Sequence, residues 1–260
     1  MKEHKILPVS AVITTFNSAR TLESVMIALN DWVNQIVIVD SGSTDSTLEI
    51  AKKFNCNIIS EAWHGYGANK NVGLSAAAND WILSIDSDEE VSESLKAYFS
   101  FNWNPNEIKK VYRILTISYL GERPILHGGW GKVYNYRLFR KSEAKWDLSA
   151  IHEELIFDRS KINIIKLNNP IHHYTTESVL QYRIKLSKYA KATALKYFNQ
   201  NRKTSFFLPW LSALFLFIKE YILKSGFLDG WVGFQIAFAR SISNFEKYRY
   251  LRILNRMKNK

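Results

Sequence analysis

The sequence predicts an α/β fold: a mostly parallel sheet flanked by helices, followed by a basic, apolar helical C-terminal appendage. Three observations carry this reading. Between Val9 and Ile85, short β-branched runs alternate with stretches of helical spacing. Two of those runs end on an aspartate, Asp40 and Asp86. From Arg183 to Lys260 there are 16 Lys and Arg against 3 Asp and Glu, whereas the first 182 residues hold 19 basic and 21 acidic residues.

The elements follow in order. Val9 to Thr15 (VSAVITT) has the composition of a buried strand. Asn17 and Ser18 follow as turn and cap residues, and Leu22, Val25, Met26 and Leu29 share one face of a helix expected over Thr21 to Trp32. Ile36 to Val39 is a second buried strand. The loop Ser41-Gly42-Ser43-Thr44-Asp45 leads to a helix near Leu48 to Phe54, and Asn57 to Ser60 is a third strand. His64-Gly65-Tyr66-Gly67 leads into a helix around Ala68 to Ala78. Trp81 to Ile85 is a fourth strand, and a helix is expected from Val91 to Phe99. Strands and helices alternating at this spacing imply βαβ units, whose ligands bind outside the carboxyl ends of the strands. Beyond Ser100 the alternation weakens. Val111 to Leu120 and Val133 to Arg140 read as antiparallel strands, and Ser178 to Asn199 as a basic helix.

A chain of 260 residues, 47% hydrophobic and 23% charged, has room for one large domain with an appendage. We expect an α/β domain over 1–177 and a helical basic region over 178–260. The net charge of +11 points to nucleic acid, anionic lipid or phosphorylated substrates. Nucleic acid is disfavoured because the basic residues adjoin a large apolar segment, Phe206 to Ile218 (FFLPWLSALFLFI). That segment has 13 residues, against about 20 needed to cross a bilayer. Together with Trp210, Phe215, Phe217, Tyr221, Phe227 and Trp231, it suggests contact with an anionic membrane surface; a pair of core helices is the competing reading. Cys56 is the only cysteine, and the N-terminal segment lacks the apolar run of a signal peptide, so a cytoplasmic location is expected.

The chemistry centres on Asp86-Ser87-Asp88-Glu89-Glu90, directly after a buried strand. Carboxylates two apart on an extended segment can share one hard divalent cation with a diphosphate. The competing reading is an acidic first turn of the next helix, favoured by its dipole. Asp40 is placed to accept from a ribose hydroxyl or base N–H, and Gly42 lets its loop pass close to a ligand; helix capping explains Asp45 but not Asp40. No GxGxxG follows the first strand, and Gly128-Gly129-Trp130-Gly131-Lys132 lacks the spacing of a P-loop. His172 and His173 include a candidate metal neighbour. Trp130, Arg137 and Arg140 are candidates for an acceptor pocket, because aromatic faces stack on sugars and arginines hold phosphates.

The motifs VSAVITTFNSARTLESVM, IVIVDSGSTDST, GYGANKNVGLSAAANDWILSIDSDEEVS and IHEEL, in this order, resemble family 2 glycosyltransferases with the GT-A fold. The resemblance is to the lipopolysaccharide core β-glucosyltransferase branch, the WaaE/KdtX-like group; it covers about residues 8 to 175, and GFLDGWVGFQIAFAR in the tail extends it. A GT-A Rossmann-like sheet is therefore implied. The resemblance implies that Thr15, Phe16 and Asn17 line the nucleobase pocket and that Asp40 binds the nucleoside. It implies that Lys70 and Asn71 lie near the nucleotide, and that Asp86 and Asp88 form a DxD motif holding Mg²⁺ or Mn²⁺ on the donor diphosphate. Glu153 is implied as the catalytic base, with adjacent Glu154 left open. Thr14-Thr15 stands where many relatives carry a proline nearby.

These roles describe an inverting, metal-dependent transfer of a single sugar, by resemblance glucose from UDP-glucose, to a lipid-linked saccharide such as the lipopolysaccharide core. The work would be done by a peripheral protein on the cytoplasmic face of the inner membrane. Two alternatives differ in class. A nucleotidyltransferase would show a glycine-rich triphosphate loop near its first strand, and Thr14 to Arg20 offers none. A non-catalytic binder of anionic lipid or saccharide would make Asp40, Asp88 and Glu153 dispensable.

Overall fold

The computed structural model describes residues 6–148 and 153–258. It divides into two compact units, one formed by Met1–Thr116 with Val133–His173, the other by Ile117–Lys132 with Tyr174–Lys260. The second unit therefore draws on the 117–132 segment as well as on the C-terminal helices.

The first unit begins with β1 (Leu7–Thr15), α1 (Ala19–Asn30), β2 (Val33–Asp40), α2 (Thr47–Ala51), β3 (Asn57–Ser60), α3 (Tyr66–Ala76) and β4 (Trp81–Asp86). These four strands pair in parallel in the order β3-β2-β1-β4. Thr15 stands opposite Asp40, and Thr14 opposite Asp86, so both aspartates sit at carboxyl ends of adjacent strands. Alternate residues serve opposite faces, as the pleat requires. Ala11, Ile13, Ile38, Leu83 and Ile85 join Leu22, Val25, Met26 and Leu29 of α1 in one core cluster. Val12, Val37 and Ile82 join Leu74, Ala77 and Phe139 in another. Burial on both faces explains why the strands read as unbroken apolar runs. Gly73 lets α3 lie against this sheet, because a Cβ there would collide with Val12 and come within 3.2 Å of Val39.

The remaining strands of the sheet are β5 (Glu89–Val91), β6 (Lys110–Leu120), β7 (Arg123–Pro124), β8 (Val133–Arg140) and β11 (Asn163–Thr176), with α4 (Glu93–Asn102) between β5 and β6. β8 pairs antiparallel with both β4 and β6, so the sheet is mixed. A separate antiparallel pair joins β9 (Ala144–Trp146) to β10 (Leu155–Phe157).

One expected helix is corrected. Val91 does not open a helix but ends β5, because Glu89, Glu90 and Val91 pair with His173, His172 and Ile171 of β11. The helix starts after Ser92, whose side chain caps the Leu95 amide at 3.2 Å. β11 itself was not anticipated: Asn168, Asn169 and Pro170 interrupt its apolar pattern. Pro170 lacks a donor, but its carbonyl still accepts from the Ser92 amide.

The second unit holds α5 (Val179–Asn199), α6 (Leu208–Phe217) and α7 (Gly230–Lys258), with a π-helical turn over Ile218–Leu223 and 3₁₀ turns at Gly128–Trp130 and Gly226–Asp229. Leu120, Ile125, Tyr182, Ile236 and Ala239 form its core. Among the described residues, no helix is long and apolar enough to cross a membrane.

Candidate active site

Asp40 is buried, and its carboxylate is saturated by its own chain. Thr15 Oγ1 donates to Oδ1 at 2.9 Å and Ser43 Oγ at 2.5 Å, while the amides of Gly42 and Ser43 donate to Oδ2 at 3.0 and 2.9 Å. Four donors use the acceptor capacity of a carboxylate. Burial works to raise the Asp40 pKa, but these hydrogen bonds outweigh it and the net shift is downward. Asn17 completes the loop from the other side. Its backbone has φ 50°, its amide donates to Ser43 Oγ at 2.8 Å, and its side-chain oxygen accepts from the Thr44 amide at 2.8 Å. Asp45 accepts from the Ala19 amide at 3.1 Å and the Thr47 amide at 3.0 Å, and so lies ahead of α2 rather than in its first turn, with neither Ser43 nor Thr44 at the cap position. Phe16 extends past the strand end with 60% of its surface exposed.

The second aspartate anchors an ionic network. Asp86 lies 3.2 Å from Lys70 Nζ through Oδ1 and 3.2 Å from Arg137 through Oδ2. Burial would raise its pKa, but the Lys70 and Arg137 charges hold it well below the ordinary aspartate range. Arg137 also donates to Glu89 at 2.5 Å, and Glu89 in turn accepts from the Asp86 amide at 3.1 Å. For Glu89, burial raises the pKa more than Arg137 lowers it. Glu89 is a site residue that the sequence reading did not single out. Its signal is alternation: Glu89 and Val91 are buried on the same face of β5, of which only Val91 falls in the expected helix.

Lys70 joins this network to Glu153. The ammonium is buried, donates to Glu153 Oε1 at 2.7 Å, and lies 4.8 Å from the Trp146 ring centre. Burial disfavours its charge, yet Asp86 and Glu153 keep its pKa above the ordinary lysine value. Asn71, one residue on, holds the β9 backbone: it donates to the Trp146 carbonyl at 2.8 Å and accepts from the Trp146 amide at 3.0 Å. Gly67 seats the following segment, since a Cβ there would collide with the Asp147 carbonyl and reach 3.4 Å from Glu153 Cβ. Glu154 is exposed, and its amide donates to Asp147 at 3.0 Å. His152 lies outside the described residues.

Asp88 stands apart from this cation pair and meets His173 Nε2 at 3.2 Å. Burial opposes protonation of His173, but the Asp88 hydrogen bond and the surrounding carboxylates raise its pKa. The loop is tied down by Thr21 Oγ1, which donates to the Ser87 carbonyl at 2.8 Å, and by Ser18 Oγ, 2.8 Å from Ser87 Oγ. Among the described residues, no three His, Cys, Asp or Glu side chains are grouped to hold a metal by themselves. The Asp88–His173 oxygen and nitrogen donors nonetheless fit a Mg²⁺ or Mn²⁺ ion whose other ligands come from diphosphate and water.

The structure thus brings together Thr15, Asn17 and Asp40 in one group, and Lys70, Asp86, Arg137 and Glu153 in a second. Arg137, expected in an acceptor pocket, is buried and holds Asp86 and Glu89. Arg140 lies at the other end of β4, paired with Asp80 at 2.5 Å and opposite Trp81. Trp130 belongs to the second unit, where its ring meets Tyr182 edge-on at 4.5 Å.

Known proteins resemble this chain over most of its length. An uncharacterized glycosyltransferase of Rickettsia felis is 27% identical over 254 residues, covering 94% of this chain and 89% of the relative. The lipopolysaccharide core biosynthesis glycosyltransferase LpsC of Rhizobium meliloti is 24% identical, with 93% of each chain covered. In structure, the mannosyltransferase PcManGT of Pyrobaculum calidifontis, solved with GDP-Man and Mn²⁺, aligns with a TM-score of 0.51 at 12% identity, over 96% of this chain and 90% of that one. The shared fold is GT-A. The model of the family described as Glycosyl transferase family 2 matches residues 10–153, which take in both aspartate-ended strands, the acidic turn and Glu153, and this chain belongs to that family.

Proposed function

We propose that this glycosyltransferase transfers a single sugar, with inversion, from a nucleotide sugar to a lipid-linked saccharide. The observation that carries the reading is Lys70, which holds Glu153 beside the acidic strand end at Asp86. UDP-glucose is the donor that the sequence resemblance implies. An acceptor of the lipopolysaccharide-core class is supported by the name of the Rhizobium relative. That acceptor would set the work on the cytoplasmic face of the inner membrane.

In this reading the nucleoside lies at the carboxyl ends of β1 and β2. Phe16 offers an exposed ring to the base, while Asp40, Thr15 and Asn17 fix the loop that shapes the pocket. Asp88 and His173 would hold the divalent cation, with Asp86 bound to Lys70 and Arg137 behind them. When bound, the cation supplies positive charge against the leaving diphosphate. Glu153 accepts the proton of the acceptor hydroxyl as its oxygen forms the new bond to the anomeric carbon. The bond from that carbon to the diphosphate oxygen breaks in the same displacement, so the anomeric centre inverts. Lys70 holds the Glu153 carboxylate in position for this task.

Calorimetry with UDP, GDP, CDP and dTDP sugars, with Mn²⁺, Mg²⁺ or EDTA, tests the reading. Metal-dependent binding of one donor, lost in Asp88→Asn, is the expected result. Failure of every donor to bind under every metal condition would overturn it.

A further inference from the structure

Between Arg202 and Phe245 the sequence contains two carboxylates, Glu220 and Asp229, and both are turned inward. Glu220 is 2% exposed and accepts from Arg240 at 3.1 Å and Lys224 at 3.2 Å. Asp229 accepts from the Leu126 and His127 amides and lies 2.9 Å from His127 Nδ1. No carboxylate faces outward over this stretch, and its exposed charges are basic.

The apolar part is large and ordered. On α6 and the π-helical turn, Leu211, Leu214, Phe215, Ile218 and Ile222 follow helical spacing and are exposed. The opposite side of α6 is fixed to α7: Ser241 Oγ donates to the Ala213 carbonyl at 2.8 Å and Asn244 to the Ser212 carbonyl at 3.0 Å. At the start of α7, Trp231 is 67% exposed and stacks on Phe234 at 5.0 Å. Contiguous exposed apolar surface of this kind marks an interaction site. Arg202, Lys203, Lys219 and Lys224 are exposed along the same stretch.

We propose that this face of α6, the π-helical turn and the start of α7 docks in the plane of an anionic lipid surface. The charge pattern selects this occupant. A protein interface depletes lysine along with aspartate and glutamate, whereas an anionic headgroup layer repels the carboxylates and attracts the lysines that this face keeps. The dimensions agree, because α6 and its π-helical extension are too short to span about 30 Å of hydrocarbon but suit an in-plane segment. In the docked state the exposed Lys203 and Lys219 would carry their ammonium groups to the headgroups. This surface stands independently of the sugar donor, and so outlives a failure of the transfer reading.

The test is flotation of the full chain with vesicles of phosphatidylcholine alone or with about a quarter phosphatidylglycerol, for the wild type and the double variant Leu211→Asp/Phe215→Asp. Donor binding by calorimetry and sedimentation velocity are measured on both proteins. The wild type is expected to float with the anionic vesicles, weakened but not released by high salt. The double variant should partition at least about tenfold less while keeping its sedimentation coefficient and, where the wild type binds donor, its donor affinity. A lysine variant, Lys203→Ser/Lys219→Ser, should lose only the preference for the anionic vesicles. The proposal is overturned if the wild type stays in the dense fraction with both vesicles, or if the double variant floats equally well. It is also overturned if the wild type is a dimer that the double variant dissociates without any change in flotation, which would assign the face to a second copy.

Discussion

The Lys70 ammonium stands 2.7 Å from a Glu153 oxygen, although 83 residues separate the two in the chain. The same nitrogen reaches Asp86 at 3.2 Å. One buried cation thus binds the proposed base to the acidic end of β4, and changes at any corner of this triangle should have distinct signatures.

Glu153→Gln removes the proton acceptor but keeps the shape and a hydrogen-bonding oxygen for Lys70. Turnover should fall by about a hundred- to ten-thousandfold, with the donor dissociation constant nearly unchanged. Glu154→Gln, at an exposed position, should leave turnover within about twofold on the same mechanistic argument. Steady-state kinetics paired with calorimetry separates the two residues, and near-normal turnover in Glu153→Gln would assign the base elsewhere.

Lys70→Met leaves two carboxylates facing one another without their shared cation. Breaking a buried ion pair from one side costs about 3–5 kcal/mol. A fall of that size in chemical denaturation is expected, and Lys70→Arg should recover part of it by retaining the charge. Full stability in Lys70→Met would mean that Asp86 is satisfied by Arg137 alone.

Gly67→Ala should act at a distance. The added methyl must displace the Asp147 carbonyl and press toward Glu153. A misplacement of about 1 Å in a reacting group can cost on the order of a hundredfold in rate. The expected outcome is a large loss in kcat with a smaller change in donor affinity. Equal losses in both would show that Gly67 serves the nucleotide rather than the base.

Acid stability offers a separate check. Asp80 accepts from Arg140 at 2.5 Å and from the Ser142 amide and hydroxyl at 2.9 and 2.8 Å. Burial raises its pKa, but these bonds outweigh it and the net shift is downward. The folded state therefore binds a proton less readily than the unfolded chain. Its stabilisation is complete above the ordinary aspartate value of ~4 and is lost as pH falls through the lowered folded value. Asp80→Asn should cost about 1–2 kcal/mol at neutral pH. That difference should shrink in acid, as followed by urea denaturation across a pH series.

The parallel half of the fold was legible because buried strands and amphipathic helices leave strong local periodicity. Leu22, Val25, Met26 and Leu29 face the sheet as their spacing requires. The antiparallel half left weaker marks. β11 carries the run Asn168-Asn169-Pro170, and its role depends on pairing with Glu89 to Val91, 80 residues away in the case of Ile171 and Val91. Motif order put Asp86, Lys70 and Glu153 on a common list of residues, but their contact is a product of folding across sequence. Asp40 shows the reverse limit. Its position at a strand end was plain, yet nothing local revealed that Thr15, Gly42 and Ser43 would occupy all of its lone pairs.

That saturation has a kinetic meaning. A loop held by Asp40 on one side and by Asn17 on the other has surrendered its conformational freedom when the chain folds, before any nucleotide arrives. Arrival then requires no further ordering of residues 41–45, which would otherwise cost about 1–2 kcal/mol for each residue fixed. The encounter should be limited by diffusion and desolvation, with no slow rearrangement of this loop following it.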